Sequence, residues 1–295
     1  MSSGRLLLQD PPLSLRLKSR FDRWPPVIRY RRWKRPREAD FFLLSYPKAG
    51  RTWLRVMMAG LFAEHFGRPE LAVGEAGDDL YPKHPGVPVI GAKHDGSPQK
   101  KTAAEILSDK SEFADCRVIL LVRDLRDLAV SNYFQVTRRV HRFDGDIASY
   151  IHWPRGSVDG MLRYYNAWAA QRRVPRDFLL VRYEDLRRDT AAELGRIARF
   201  VGLTDVRSQT LERAVEHGAF ESMKKRESTR PADGSSLAAG RPGDTESFKT
   251  RKGKIGGYAE YLSIEDIEWL NRRIDTELDP YFGYSSAAVP GPIRE

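Results

Sequence analysis

Phe41-Phe42-Leu43-Leu44-Ser45-Tyr46-Pro47-Lys48-Ala49-Gly50-Arg51-Thr52-Trp53 is the stretch that decides the fold. Its apolar start suits a strand buried on both faces. Pro47 and Gly50 break the run, and an amphipathic stretch from about Trp53 to Phe66 follows. Strand, tight turn and helix start are the parts of an anion cradle, where backbone N–H groups and the helix dipole converge on a phosphate. Lys48 adds a mobile point charge. The stretch is not a Walker A loop, because the lysine here precedes the glycine.

Two further segments have related chemistry. Arg117-Val118-Ile119-Leu120-Leu121-Val122-Arg123-Asp124-Leu125-Arg126-Asp127 reads as a second buried strand ending in a charged turn, with Ser131 about two helical turns on. An arginine fork plus a hydroxyl near a helix start suits a phosphate clamp. Arg–Asp pairs on a solvated turn would give the same pattern. Arg251-Lys252-Gly253-Lys254-Ile255-Gly256-Gly257-Tyr258 sets cations beside glycines, which also suits a flexible basic loop.

The three segments, in this order and spacing, resemble the nucleotide-binding elements of sulfotransferases that use 3′-phosphoadenosine 5′-phosphosulfate (PAPS). The resemblance covers about residues 40–284. It implies an α/β fold, with a P-loop-like central parallel sheet flanked by helices on both faces in a single sulfotransferase domain. It implies sulfuryl transfer from PAPS as co-substrate, with 3′,5′-adenosine diphosphate (PAP) as product and no metal. Lys48 would meet the leaving phosphate oxygen, while Thr52 and the N–H groups of Gly50, Arg51, Thr52 and Trp53 would hold the 5′-phosphate. Arg123, Ser131, Arg251, Lys252 and Gly253 would hold the 3′-phosphate, and Ser131 would also restrain Lys48. Trp53 and Tyr183 would face adenine, with Phe220 and Met223 bordering it.

The base is expected after the strand candidate Val87–Ala92, where His94 stands and Asp95 is the alternative. Histidine suits proton abstraction near neutral pH. Catalysis would thus fall to Lys48, His94 and Ser131. This chain departs from the family pattern in having Arg51 for a threonine, Gly257 for an aspartate and Tyr258 for a tryptophan. The family's C-terminal dimer motif is not visible, so the oligomeric state is open.

Strand candidates Phe41–Tyr46, Val87–Ala92, Val118–Val122 and Phe178–Arg182 alternate with helical stretches at about 52–66, 102–109, 125–139, 158–172, 189–201, 208–217 and 264–275. Such alternation implies βαβ units around a parallel sheet, with ligands beyond the carboxyl ends of the strands. The expected organisation is a basic extension over 1–39, the domain over 40–285 and a tail over 286–295. Residues 225–250 are rich in turn formers and read as a lid loop or a disordered insertion.

The 295 residues carry a net charge of +10, which favours anionic partners. Ten cations interleave with Trp24, Tyr30 and Trp33 between Arg16 and Arg37. This arm suits packing onto the domain or peripheral contact with an anionic membrane, and nucleic acid is not expected. No run approaches the roughly 18 apolar residues of a membrane span. The apolar patch Leu6–Leu8 is too short for a signal peptide. A single cysteine, Cys116, excludes an internal disulfide and points to a cytoplasmic setting. No Asp, Glu and His spacing suggests a metal site. The acceptor is a small molecule, glycan or lipid, and from position alone His141, His152, Tyr133, Phe134 and Trp153 are candidates for its pocket. A P-loop kinase and a non-catalytic polyanion-binding protein are the competing classes.

Overall fold

The computed structural model describes residues 39–73, 84–229, 244, 247–248 and 253–287. The basic arm, Arg251, Lys252, most of the expected lid and the end of the tail lie outside them.

Four strands form one parallel sheet: β1 (Phe41–Ser45), β2 (Ile90–Lys93), β3 (Arg117–Val122) and β4 (Asp177–Arg182). Their order is β2-β1-β3-β4. Every residue of β1 is buried, as its continuous apolar run requires. The strand ends are level, with Leu44 paired to Lys93, Ser45 to Leu121 and Val122 to Arg182. The chain leaves β1 toward β2 on one side and returns to β3 on the other. That reversal opens a crevice at the carboxyl edge, where ligands of such sheets bind.

Ten α-helices are described: α1 (Arg51–Phe66), α2 (Glu70–Val73), α3 (Leu125–Phe134), α4 (Ile147–Ile151), α5 (Val158–Ala170), α6 (Tyr183–Arg188), α7 (Thr190–Phe200), α8 (Ser208–His217), α9 (Phe220–Thr229) and α10 (Ile264–Glu277). Their contacts fall into two sets: α1 packs on α2 and α8, α8 on α7 and α7 on α6, while α3 packs on α4, α5 and α10. Among the described residues no helix is long and apolar enough to cross a membrane.

Two expected elements differ. The helix over 102–109 is a single 3₁₀ turn, Ala103–Glu105. Thr102 and Glu105 do form a capping box, but Thr102 also bridges to Arg155, which holds the chain against a neighbouring segment instead of letting the helix run on. The helix over 125–139 is α-helical only to Phe134 and continues as a π turn, Gln135–Arg139. Such turns are frequent at functional sites. Cys116 is buried, as packing would have it.

Candidate active site

One cleft of about 1110 Å³ opens at the carboxyl edge of the sheet. Each strand delivers a side chain to it: Lys48 after β1, His94 after β2, Arg123 after β3 and Tyr183 after β4. Gly50, Arg51, Thr52, Trp53, Ser131, Phe220, Met223 and Gly253 line it too. Of the sequence-predicted site residues, Arg251 and Lys252 alone fall outside the described chain.

Lys48 and Gly50 have left-handed backbones, with φ of 75° and 102°. A lysine there is strained, and such strain is typical of functional loops. The loop is pinned by Asn132 Nδ2, which donates to the Pro47 carbonyl at 2.9 Å. Lys48 Nζ donates to Gln135 Oε1 at 3.4 Å, in the π turn one helical turn beyond Ser131. The first turn of α1 has no acidic residue and no side-chain cap. Its N–H groups and positive dipole end therefore remain available to an anion.

His94 Nδ1 is 2.9 Å from the Ser45 carbonyl, and Nε2 is 2.9 Å from Arg51 Nη2. A carbonyl can only accept and a guanidinium can only donate. Nδ1 therefore carries the proton, and the Nε2 lone pair accepts from Arg51. Asp95 is engaged elsewhere. Its Oδ2 accepts from Lys110 Nζ at 2.7 Å and from Trp168 Nε1 at 3.1 Å, beneath the surface.

Arg123 lies over the Tyr183 ring, 4.5 Å from its centroid, and donates to the Lys48 and Lys254 carbonyls. Asp127 sits 3.5 Å from Arg123 and accepts from the backbone N–H groups of Gly256 and Tyr258, each at 3.0 Å. Burial pushes the Asp127 carboxyl above the usual range despite the opposing Arg123 charge. Arg126, by contrast, is fully buried and forks onto Asp124 beneath the site.

An aromatic corner adjoins Arg123. Trp53 and Tyr183 meet edge to face at 5.7 Å, and Tyr183 donates its hydroxyl to the Gly253 carbonyl at 3.2 Å. A Cβ on Gly50 would lie 2.7 Å from Tyr183 Cδ2, so this position needs glycine for space as well as for φ. Six arginines and three lysines line the cleft, against the carboxylates Asp127 and Glu216.

A sulfotransferase domain model matches residues 38–281. This chain belongs to the sulfotransferase domain family. It is 25% identical over 269 residues to cytosolic sulfotransferase 12 of Arabidopsis thaliana, covering 81% of this chain and 77% of that protein. It is 24% identical over 250 residues to sulfotransferase 2A1 of Rattus norvegicus, covering 80% and 83%. Its fold is similar to that of retinol dehydratase solved with androsterone and PAP, with a TM-score of 0.61, 17% identity and 81% of each chain covered.

In this sulfotransferase some side chains sit where their sequence position gave no hint. Among the acceptor candidates Trp153 lines the cleft. His152 instead packs on Trp269 at 4.2 Å, Phe134 packs on Tyr261, and Tyr133 donates to the Gly145 carbonyl. Tyr258 is buried over Arg126. Asn132, Gln135 and Asp127 were missed as site residues. A one-turn spacing from Ser131 could have found Gln135. Among the described residues no group of three or more His, Cys, Asp or Glu side chains is arranged to hold a metal ion.

Proposed function

We propose that this protein transfers the sulfuryl group of PAPS to a hydroxyl or amine acceptor by in-line displacement, releasing PAP. The observation that carries the reading is the convergence of Lys48, His94, Arg123 and Tyr183 from four strand ends on one cation-lined cleft. A nucleotide with phosphates at both ends fits this charge and the Trp53–Tyr183 corner. PAPS, when bound, supplies the sulfuryl group.

The chain's own groups then have separate tasks. Thr52 and the α1 N–H groups hold the 5′-phosphate, and Lys48 neutralises charge growing on its leaving oxygen. Arg123, Ser131 and Gly253, with Arg251 and Lys252, hold the 3′-phosphate. His94 takes the acceptor proton on Nε2, because Nδ1 is already committed to the Ser45 carbonyl. Arg51 must release that lone pair first, and the donor's anionic oxygens are the natural competitor for its guanidinium. Asp95, locked to Lys110, is poorly placed to act as base.

The test is thermal stabilisation by PAP against AMP and ATP without metal, followed by turnover of labelled PAPS in wild type and Lys48→Ala. A shift specific to PAP, with Lys48→Ala inactive yet still stabilised by PAP, is expected. Equal shifts for all three nucleotides, or a Lys48→Ala enzyme of near-normal rate, would sink the reading.

A further inference from the structure

The cations that line the cleft differ in the side-chain partners they have. Around the loop and the aromatic corner, Arg123 is paired with Asp127, and Arg187 lies over Trp53. The cleft is also lined by Gln99, Lys100, Arg139, Arg142 and Trp153. Arg139 is neutralised by Glu227 and donates to the Ser247 carbonyl at 2.7 Å. Lys100 and Arg142 have no side-chain partner among the described residues, and the buried Gln99 Oε1 has none either.

These groups stand on fixed backbone. Gly156 donates its N–H to the Lys101 carbonyl at 2.9 Å, and Arg155 donates to the Lys100 carbonyl at 3.0 Å. A Cβ on Gly156 would fall 2.2 Å from the Gln99 carbonyl oxygen, so the two segments are in close backbone contact. Arg142 follows His141, whose φ is 47°, and donates its N–H to the Val136 carbonyl at 2.8 Å. A strained backbone and a close approach thus deliver to the cleft two cations with no side-chain partner among the described residues. Lys100 lies six residues beyond His94, and Arg142 ends the segment that begins with Gln135 at Lys48. Trp153, braced by Phe143 at 5.2 Å, gives the cleft a flat apolar wall.

We propose that the acceptor is a small hydroxy compound bearing an anionic group, a carboxylate or sulfate, which Lys100 and Arg142 bind. This rests on the sulfuryl-transfer reading above. Lys100 and Arg142 are exposed, so their charge-assisted hydrogen bonds to the anion must outweigh the ordering of two long side chains, and the Trp153 face suits an aromatic or flat aliphatic body between anion and hydroxyl.

The experiment compares matched acceptors with labelled PAPS: 4-hydroxyphenylacetate against its neutral primary amide, and the same pairing for an aliphatic hydroxy acid. Binding of each to the protein–PAP complex is followed by thermal shift. The acids should exceed the amides by about tenfold or more in kcat/KM or in ternary binding, the size expected of one charge-assisted hydrogen bond. Lys100→Gln with Arg142→Gln should narrow that gap chiefly through KM. Amides that match or surpass the acids, acids that fail to bind the PAP complex, or a gap unmoved by the double substitution would each overturn the inference. Loss of PAP binding itself would mark failure of the donor reading instead.

Discussion

Replacing Gly50 by alanine adds one methyl group at the point where the phosphate loop meets the aromatic corner. Two costs can be worked out separately. The backbone at Gly50 has φ of 102°, which costs an alanine about 1–2 kcal/mol. The new Cβ would also lie 2.7 Å from Tyr183 Cδ2 and 3.0 Å from Cε2. Tyr183 cannot simply step aside. Arg123 lies over one face, Trp53 meets its edge, and its hydroxyl is held by the Gly253 carbonyl. Overpacking of this kind costs about 1–3 kcal/mol. The sum is about 2–5 kcal/mol. For 295 residues the unfolding entropy is about 0.6 kcal/mol/K, so Tm should fall by about 3–8 °C. Differential scanning fluorimetry reads the melting point, and PAP titration of the same sample reads the corner. PAP affinity should fall with it, because the displaced ring borders the nucleotide. A variant that melts within about 1 °C of wild type and binds PAP normally would refute the argument, since neither the backbone nor the ring would then be constrained.

Two further outcomes follow from buried charges. Lys110→Met removes the partner of Asp95, whose side chain is 7% exposed, and should cost about 3–5 kcal/mol in urea unfolding. Adding Asp95→Asn should recover most of that, and a double variant no more stable than the single one would show that the pair does not govern the loss. Asp127 gives a pH dependence. Its folded pKa is raised, so the stability it contributes is fully present below the unfolded value, about 3.9, and is lost as pH rises through the folded value. The stability of wild type relative to Asp127→Asn should therefore decline as pH rises from about 4, and a flat difference in urea melts across that range would show that Asp127 titrates normally.

The sheet was legible because its strands are continuous apolar runs bounded by charge or proline. Phe41–Ser45 and Arg117–Val122 fall within a residue or two of expectation. β2 starts at Ile90 instead of Val87, since Val87 closes a turn onto His84 and Pro88 has no N–H for a ladder. The 102–109 helix failed for a tertiary reason, the bridge from Thr102 to Arg155, which lies 53 residues away. The site was legible where it follows strand ends, and less so where partners come from afar. Arg51 and His94 are 43 residues apart, and nothing in either local pattern announces their hydrogen bond. Asp95 was open as a base because Lys110 and Trp168 could not be placed beside it from sequence. His152 and Phe134 are candidates for the acceptor pocket by position alone, yet their rings pack on Trp269 and Tyr261.

The Tyr183 ring has a consequence for how this site can vary. It touches Trp53 from the first motif, Arg123 from the second and Gly253 from the third. A change in any one of these segments shifts the surface against which the other two are fitted. Substitutions in separate motifs therefore should not combine additively, although Trp53, Arg123 and Gly253 lie 70 to 200 residues apart in the chain. Lineages of this protein would be expected to drift through paired replacements around that ring, and a motif transplanted alone from a relative would arrive without the neighbours it was shaped against.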